Sequence, residues 1–122
     1  MAVADRVQES LHALLKLYFD DIRPEEWTPS YAGSQSRMDF LLKREKIVVE
    51  TKFIGEKLSQ TEVARQLVVD KDYYRKHPDC QTLICFVYDP HCKCNNPAAL
   101  ERAISMDGDN FRVMVIVSPK GT

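Results

Sequence analysis

A chain of 122 residues has room for one well-buried core and little more, so a single domain over residues 1–122 is expected. Its apolar share of 44% and charged share of 29% are those of an ordinary globular protein, and a net charge of −1 excludes the global basic field of an autonomous nucleic-acid binder. The longest apolar run, Leu83 to Tyr88, is far too short to cross a bilayer and no N-terminal stretch resembles a signal sequence, so no membrane partner and a cytoplasmic location are expected.

From Val3 to Ile22 the residues Val7, Leu11, Leu14, Leu15, Tyr18, Phe19 and Ile22 recur with helical spacing, and Asp5 is available as N-cap, which predicts a first helix. Pro24 and Pro29 then break regular structure, leaving a loop with room for a short strand near Trp27 to Tyr31. A β-hairpin follows from Arg37 to Phe53. After Gly55, Ser59 with Glu62 forms a capping-box signature for a second helix to about Lys76, stopped by His77-Pro78-Asp79. The near-continuous apolar run from Gln81 to Asp89 predicts a strand buried on both faces. A loop from Pro90 to Pro97, a third helix around Ala98 to Ser105, a turn at Asp107-Gly108-Asp109 and a last strand from Phe111 to Val117 complete the order. Helix, strands, helix, strand, helix, strand predicts an α/β (α+β) domain with a mixed sheet and helices packed on its faces.

The hairpin carries three polar residues where apolar ones are expected. Alternation puts Glu50 and Lys52 on one face of their strand, with Ile47, Val49, Thr51 and Phe53 on the other. A two-residue turn at Arg44-Glu45, or a four-residue loop from Lys43 to Lys46, pairs Leu42 with Ile47, Leu41 with Val48, Phe40 with Val49 and Asp39 with Glu50. A three- or five-residue loop would slip the register by one. In the first case two carboxylates face each other with Cβ atoms roughly 4.5–5.5 Å apart, a repulsion that a shared divalent cation converts into ligation.

Two acids on adjacent strands with a lysine two residues beyond the second suit phosphodiester hydrolysis. The acids hold Mg²⁺, and the lysine positions the attacking water or neutralises charge building on the phosphate. The bland alternative has Asp39 capping an edge while Glu50 and Lys52 form a solvent-facing charge pair.

The stretches "SRMDFLLKREKIVVETKF", "ARQLVVDKDYY" and "HPDCQTLICFVYDP" together resemble the PD-(D/E)XK nuclease superfamily, in particular its DpnII/MboI-like restriction endonuclease-type domains. The resemblance covers most of the chain and is most specific from Ser36 to Pro90. It implies a restriction-endonuclease-like mixed β-sheet flanked by helices and a Mg²⁺-dependent endonuclease, with Mn²⁺ able to substitute. By position, Asp39 is the first acid, Glu50 the second acid and Lys52 the lysine, with the Thr51 backbone carbonyl a further metal ligand. Met38 stands where the name-giving proline would be. The superfamily's glutamine on the second helix corresponds to Gln66, beside Asp70 and Tyr73 on the flank of the stripe Val63, Leu67, Tyr74; a solvated helix edge is the competing reading of Gln66 and Asp70.

The implied partner is nucleic acid, with DNA the expected substrate, and cutting both strands calls for a homodimer or a larger assembly. A role in restriction or antiphage defence is an expectation from the resemblance alone. The alternative function is a non-catalytic module of the same fold that binds nucleic acid or protein, or dimerises. Glu9 and His12 project from the polar side of the first helix and are read as surface residues. The set His77, Cys80, His91, Cys92 and Cys94 has a Cys-x-Cys spacing one residue short of the usual zinc spacer, and the four cysteines are read as reduced thiols, with Cys85 a small core residue. Arg37, Lys43, Arg44, Lys46, Arg65, Lys71, Arg75 and Lys76 are candidate phosphate contacts, set against a plain solvated reading.

Overall fold

The computed structural model describes residues 3–25, 39–55 and 59–120, which form helix α1 (Val3–Leu15), strands β1 (Ile22–Glu25), β2 (Asp39–Leu42) and β3 (Ile47–Phe53), helix α2 (Gln60–Arg75), strand β4 (Thr82–Tyr88), helix α3 (Pro97–Ile104), and strands β5 (Met106–Asp107) and β6 (Arg112–Ser118). The described strands form one sheet in the order β1-β2-β3-β4-β6-β5. Its first three strands are antiparallel, β3, β4 and β6 run parallel, and β5 returns antiparallel on β6. Parallel neighbours need a crossover, which α2 and α3 supply. The result is the α/β mixed sheet flanked by helices expected from the sequence, consistent with a restriction-endonuclease-like domain.

The first helix is shorter than its apolar pattern suggests. Beyond Leu15 the chain tightens, Leu17 N–H donating to Leu14 O and Tyr18 N–H to Leu15 O, each at 3.1 Å. Leu14 and Tyr18 are 57% and 80% exposed and so do not belong to the packed stripe. Ile22, read as the end of that helix, instead opens β1. Pro24 is tolerated there because, among the described strands, β1 lies at the edge of the sheet and pairs with β2. The strand placed near Trp27 to Tyr31 lies outside the described residues.

The hairpin closes through a four-residue loop from Lys43 to Lys46, with Lys46 at φ 60°. An even loop preserves parity, and the ladder runs Leu42–Ile47, Leu41–Val48 and Phe40–Val49, as expected. α2 starts where Ser59 caps it, its Oγ accepting from Glu62 N–H at 3.2 Å, and ends at Arg75.

Two cores follow from the alternation. On one sheet face Leu41, Val48, Leu83, Cys85, Val87, Val113, Val115 and Val117 pack beneath Val63, Leu67 and Tyr74 of α2 and Leu100 and Ile104 of α3. Each fully buried aliphatic chain in such a core stabilises by about 1.5–3 kcal/mol. On the other face Phe40, Leu42 and Val49 pack with Leu11, Leu15 and Phe19, whose i, i+4, i+8 spacing makes the buried stripe of the first helix and its last turn. β4 is not buried on both faces: Leu83, Cys85 and Val87 are fully enclosed, while Thr82, Ile84, Phe86 and Tyr88 stay half-buried. Among the described residues the cluster around α1 reaches β4 at Ile84 alone, so propensity for a two-sided strand outran the cover that the described helices provide.

Candidate active site

β3 is buried along Val48 to Lys52, and two of those residues are charged. Glu50 is 0% exposed and Lys52 3%, on the face that α2 covers. A solvent-facing cross-strand pair is thereby excluded. Glu50 lies beside Cys85 in the β3–β4 register, and the Cys85 thiol donates to Glu50 Oε1 at 3.1 Å. Lys52 reaches α2, where its Nζ lies 2.7 Å from Asp70 Oδ2 and donates to Gln66 Oε1 at 3.2 Å.

Gln66 and Asp70 are one helical turn apart, so both can meet a single ammonium from the same side of α2. Gln66 is 6% exposed and Asp70 0%, which rules out the solvated helix edge. Asp70 is the residue that sequence reasoning undervalued: an aspartate flanking an apolar stripe looks solvated until its partner is known. The available signal was its spacing of four from Gln66, combined with a lysine in a core strand.

A buried ion pair seldom earns its place through stability. Desolvating both charges costs several kcal/mol, and well-packed apolar side chains at such positions are often neutral or up to about 4 kcal/mol better. A carboxylate, a second carboxylate and an ammonium gathered in the main core therefore point toward function.

Asp39 opens β2, where it pairs with Glu25 of β1; the β2–β3 ladder runs from Leu42–Ile47 to Phe40–Val49, one step short of Asp39 and Glu50. The side chain of Asp39 lies outside the described residues. Thr51 sits between Glu50 and Lys52 with its side chain on the α1 face, its Oγ1 accepting from Gln8 Nε2 at 3.3 Å. A site built from carboxylates of Asp39 and Glu50 and the Thr51 carbonyl is an all-oxygen donor set, which suits a hard cation such as Mg²⁺. Among the described residues no group of three or more His, Cys, Asp or Glu side chains could by itself hold a metal.

The other candidates fall elsewhere. Glu9 is exposed, as expected. His12 is half-buried, stacked on Phe40 with ring centroids 4.9 Å apart, rather than a free surface residue. Cys80 precedes β4 and donates to Thr82 O, whereas His91, Cys92 and Cys94 follow the other end of the same strand, so the two halves of the zinc reading do not meet. Cys94 is buried, and burial pushes its thiol above the usual value.

Several candidate phosphate contacts are engaged within the chain. Arg65 pairs with Glu62, Lys76 with Asp72, Arg44 with Asp20, and Lys71 donates to Ile104 O. Arg37 lies outside the described residues. A groove lined by Val69, Asp72, Tyr73, Lys76, His77 and Pro78 shares no residue with the buried cluster. No described helix is long and apolar enough to cross a membrane.

A family model described as REase_DpnII-MboI matches residues 5–120 of the chain. Searches of curated proteins and of solved structures return no significant match.

Proposed function

The chain belongs to the DpnII-MboI restriction endonuclease family, and we propose that it is a single nuclease domain that hydrolyses phosphodiester bonds of DNA with Mg²⁺ as cofactor, Asp39, Glu50 and the Thr51 carbonyl holding the cation and Lys52 and Gln66 completing the site. Membership of a restriction endonuclease family implies an endonuclease acting on DNA. The observation that carries the finer reading is the burial of Glu50 and Lys52 two residues apart on one face of β3, with Lys52 anchored to Asp70 and Gln66.

A divalent cation bound by these oxygens supplies polarisation of the phosphoryl oxygen and an acidified water. The chain's own residues do the rest. Glu50, held by the Cys85 thiol, presents a carboxylate from a rigid central strand. Lys52 brings a fixed positive charge to the negative charge that accumulates on the phosphate, and Gln66 Oε1 accepts a hydrogen bond from it and so limits where the ammonium sits. Cutting both strands of a duplex calls for two such sites, which favours a homodimer or a larger assembly. A charge of −1 for the whole chain favours a module that is brought to DNA by another protein or region, as a restriction or antiphage effector working in the cytoplasm would be.

The test is cleavage of supercoiled plasmid, linear duplex, single-stranded DNA and RNA in Mg²⁺ or Mn²⁺, with Lys52→Ala alongside the wild type. Metal-dependent product from DNA that falls sharply, to a measurable residue, in the variant supports the reading. Equal activity in the variant defeats the assignment of Lys52, while no product on any substrate defeats the nuclease reading and leaves a non-catalytic binding module of the same fold.

A further inference from the structure

We propose that Asp70 is a positioning residue for Lys52: it fixes the ammonium in the site that hydrolysis requires, and it does not itself touch substrate or metal. This rests on the nuclease reading above. The lysine stem has four carbons and high rotamer freedom, so a charge that must act at one point needs anchors. α2 provides two on successive turns. Asp70 Oδ2 at 2.7 Å is the nearer, and a charge-assisted contact to a buried carboxylate outweighs the neutral amide contact from Gln66 at 3.2 Å.

The anchors are themselves rigid. Val63, Leu67 and Tyr74 of α2 are all 0% exposed in the main core, and Tyr74 packs edge-on against Tyr73 with centroids 4.9 Å apart. The helix start is fixed by the Ser59 cap. Lys52 is therefore held between a central strand and a helix, neither of which is free to drift. A merely structural pair at this position would be replaceable by apolar side chains without loss of cleavage, whereas a positioning pair would be replaceable only with its loss.

The experiment combines steady-state cleavage of a duplex oligonucleotide in Mg²⁺ with ¹H–¹⁵N spectra of lysine ammonium groups in the metal-free protein, for wild type, Asp70→Asn, Lys52→Ala and the double variant. Asp70→Asn is expected to lower kcat by about ten- to a hundredfold with KM within about threefold, because a misplaced group loses transition-state stabilisation and not binding. In the Lys52→Ala background the same change is expected to have no further effect, since Asp70 acts only through the lysine. The slowly exchanging Lys52 ammonium signal, identified by its absence in Lys52→Ala, is expected to vanish in Asp70→Asn.

Should Asp70→Asn not unfold cooperatively, Asp70→Glu displaces the carboxylate while keeping its charge and is expected to show the same fall in kcat without a change in KM. Wild-type kcat in either folded variant, or an equal loss in the Lys52→Ala background, overturns the proposal. An ammonium signal unchanged in Asp70→Asn overturns the clamp alone, while a wild type that cleaves nothing overturns the nuclease reading and the catalytic role that depends on it.

Discussion

Lys52 Nζ and Asp70 Oδ2 stand 2.7 Å apart with both side chains wholly removed from solvent, joining the third strand to the second helix through the middle of the main core. Removing either charge takes a counter-charge away from the other inside the core. Lys52→Met should therefore destabilise the protein by about 3–5 kcal/mol, while the paired replacement Lys52→Met with Asp70→Leu should restore wild-type stability or exceed it. Urea unfolding of the three proteins checks the order, and the double variant should be stable yet inactive. A single variant as stable as the wild type would mean that the pair is not buried as described.

The thiol–carboxylate contact between Cys85 and Glu50 gives a second prediction. In an apolar pocket Cys85→Val would be tolerated better than Cys85→Ser, because valine adds no polar group. With a buried carboxylate 3.1 Å away the order should reverse, serine keeping a donor for Glu50 and valine losing a bond worth about 1.5–3 kcal/mol to a charged acceptor. Thermal unfolding of the two variants at neutral pH decides it.

Glu101 on α3 governs part of the response to acid. Burial alone would raise its carboxyl, but hydrogen bonds from Lys120 Nζ and from Val117 N–H, both at 2.8 Å, hold it below the ordinary carboxylate value. A depressed folded-state value means stability that is fully present above the unfolded-state value and lost as pH falls through the folded one. Glu101→Gln should cost about 1–2 kcal/mol at pH 7, and the difference from wild type should be smaller at about pH 3, where more of the Glu101 carboxyl carries its proton. Denaturant titrations at the two pH values measure this.

The Ser59 cap is a simpler case. Its hydroxyl satisfies Glu62 N–H in the first turn of α2, so Ser59→Ala should lower stability by about 1 kcal/mol and Ser59→Asp by almost nothing. Because α2 carries Gln66 and Asp70, cleavage by folded Ser59→Ala should stay near wild type, which separates helix stability from site chemistry.

The site was legible in the sequence to the extent that it depends on parity. Strand alternation placed Glu50 and Lys52 together, and an even loop from Lys43 to Lys46 gave the register from Leu42–Ile47 to Phe40–Val49, so local spacing carried most of the hairpin. Ser59 and Glu62 marked the start of α2 for the same reason: both signals are short-range. Asp70 was hidden because its meaning lies in a lysine eighteen positions earlier on a different element, and Cys85 because its role comes from a parallel pairing across a crossover. β1 was missed where a helical pattern ran on through Ile22 and Pro24 read as a breaker, although an edge strand accepts proline.

The central claim is that Asp39 and Glu50 together hold a divalent cation, and calorimetric titration of Mn²⁺ into wild type, Asp39→Ala and Glu50→Gln tests it most directly. The account predicts a saturable site in the wild type whose affinity falls at least about tenfold in each variant, as loss of a charged ligand requires. A wild type that binds no Mn²⁺, or variants that bind it as tightly as the wild type, would contradict it.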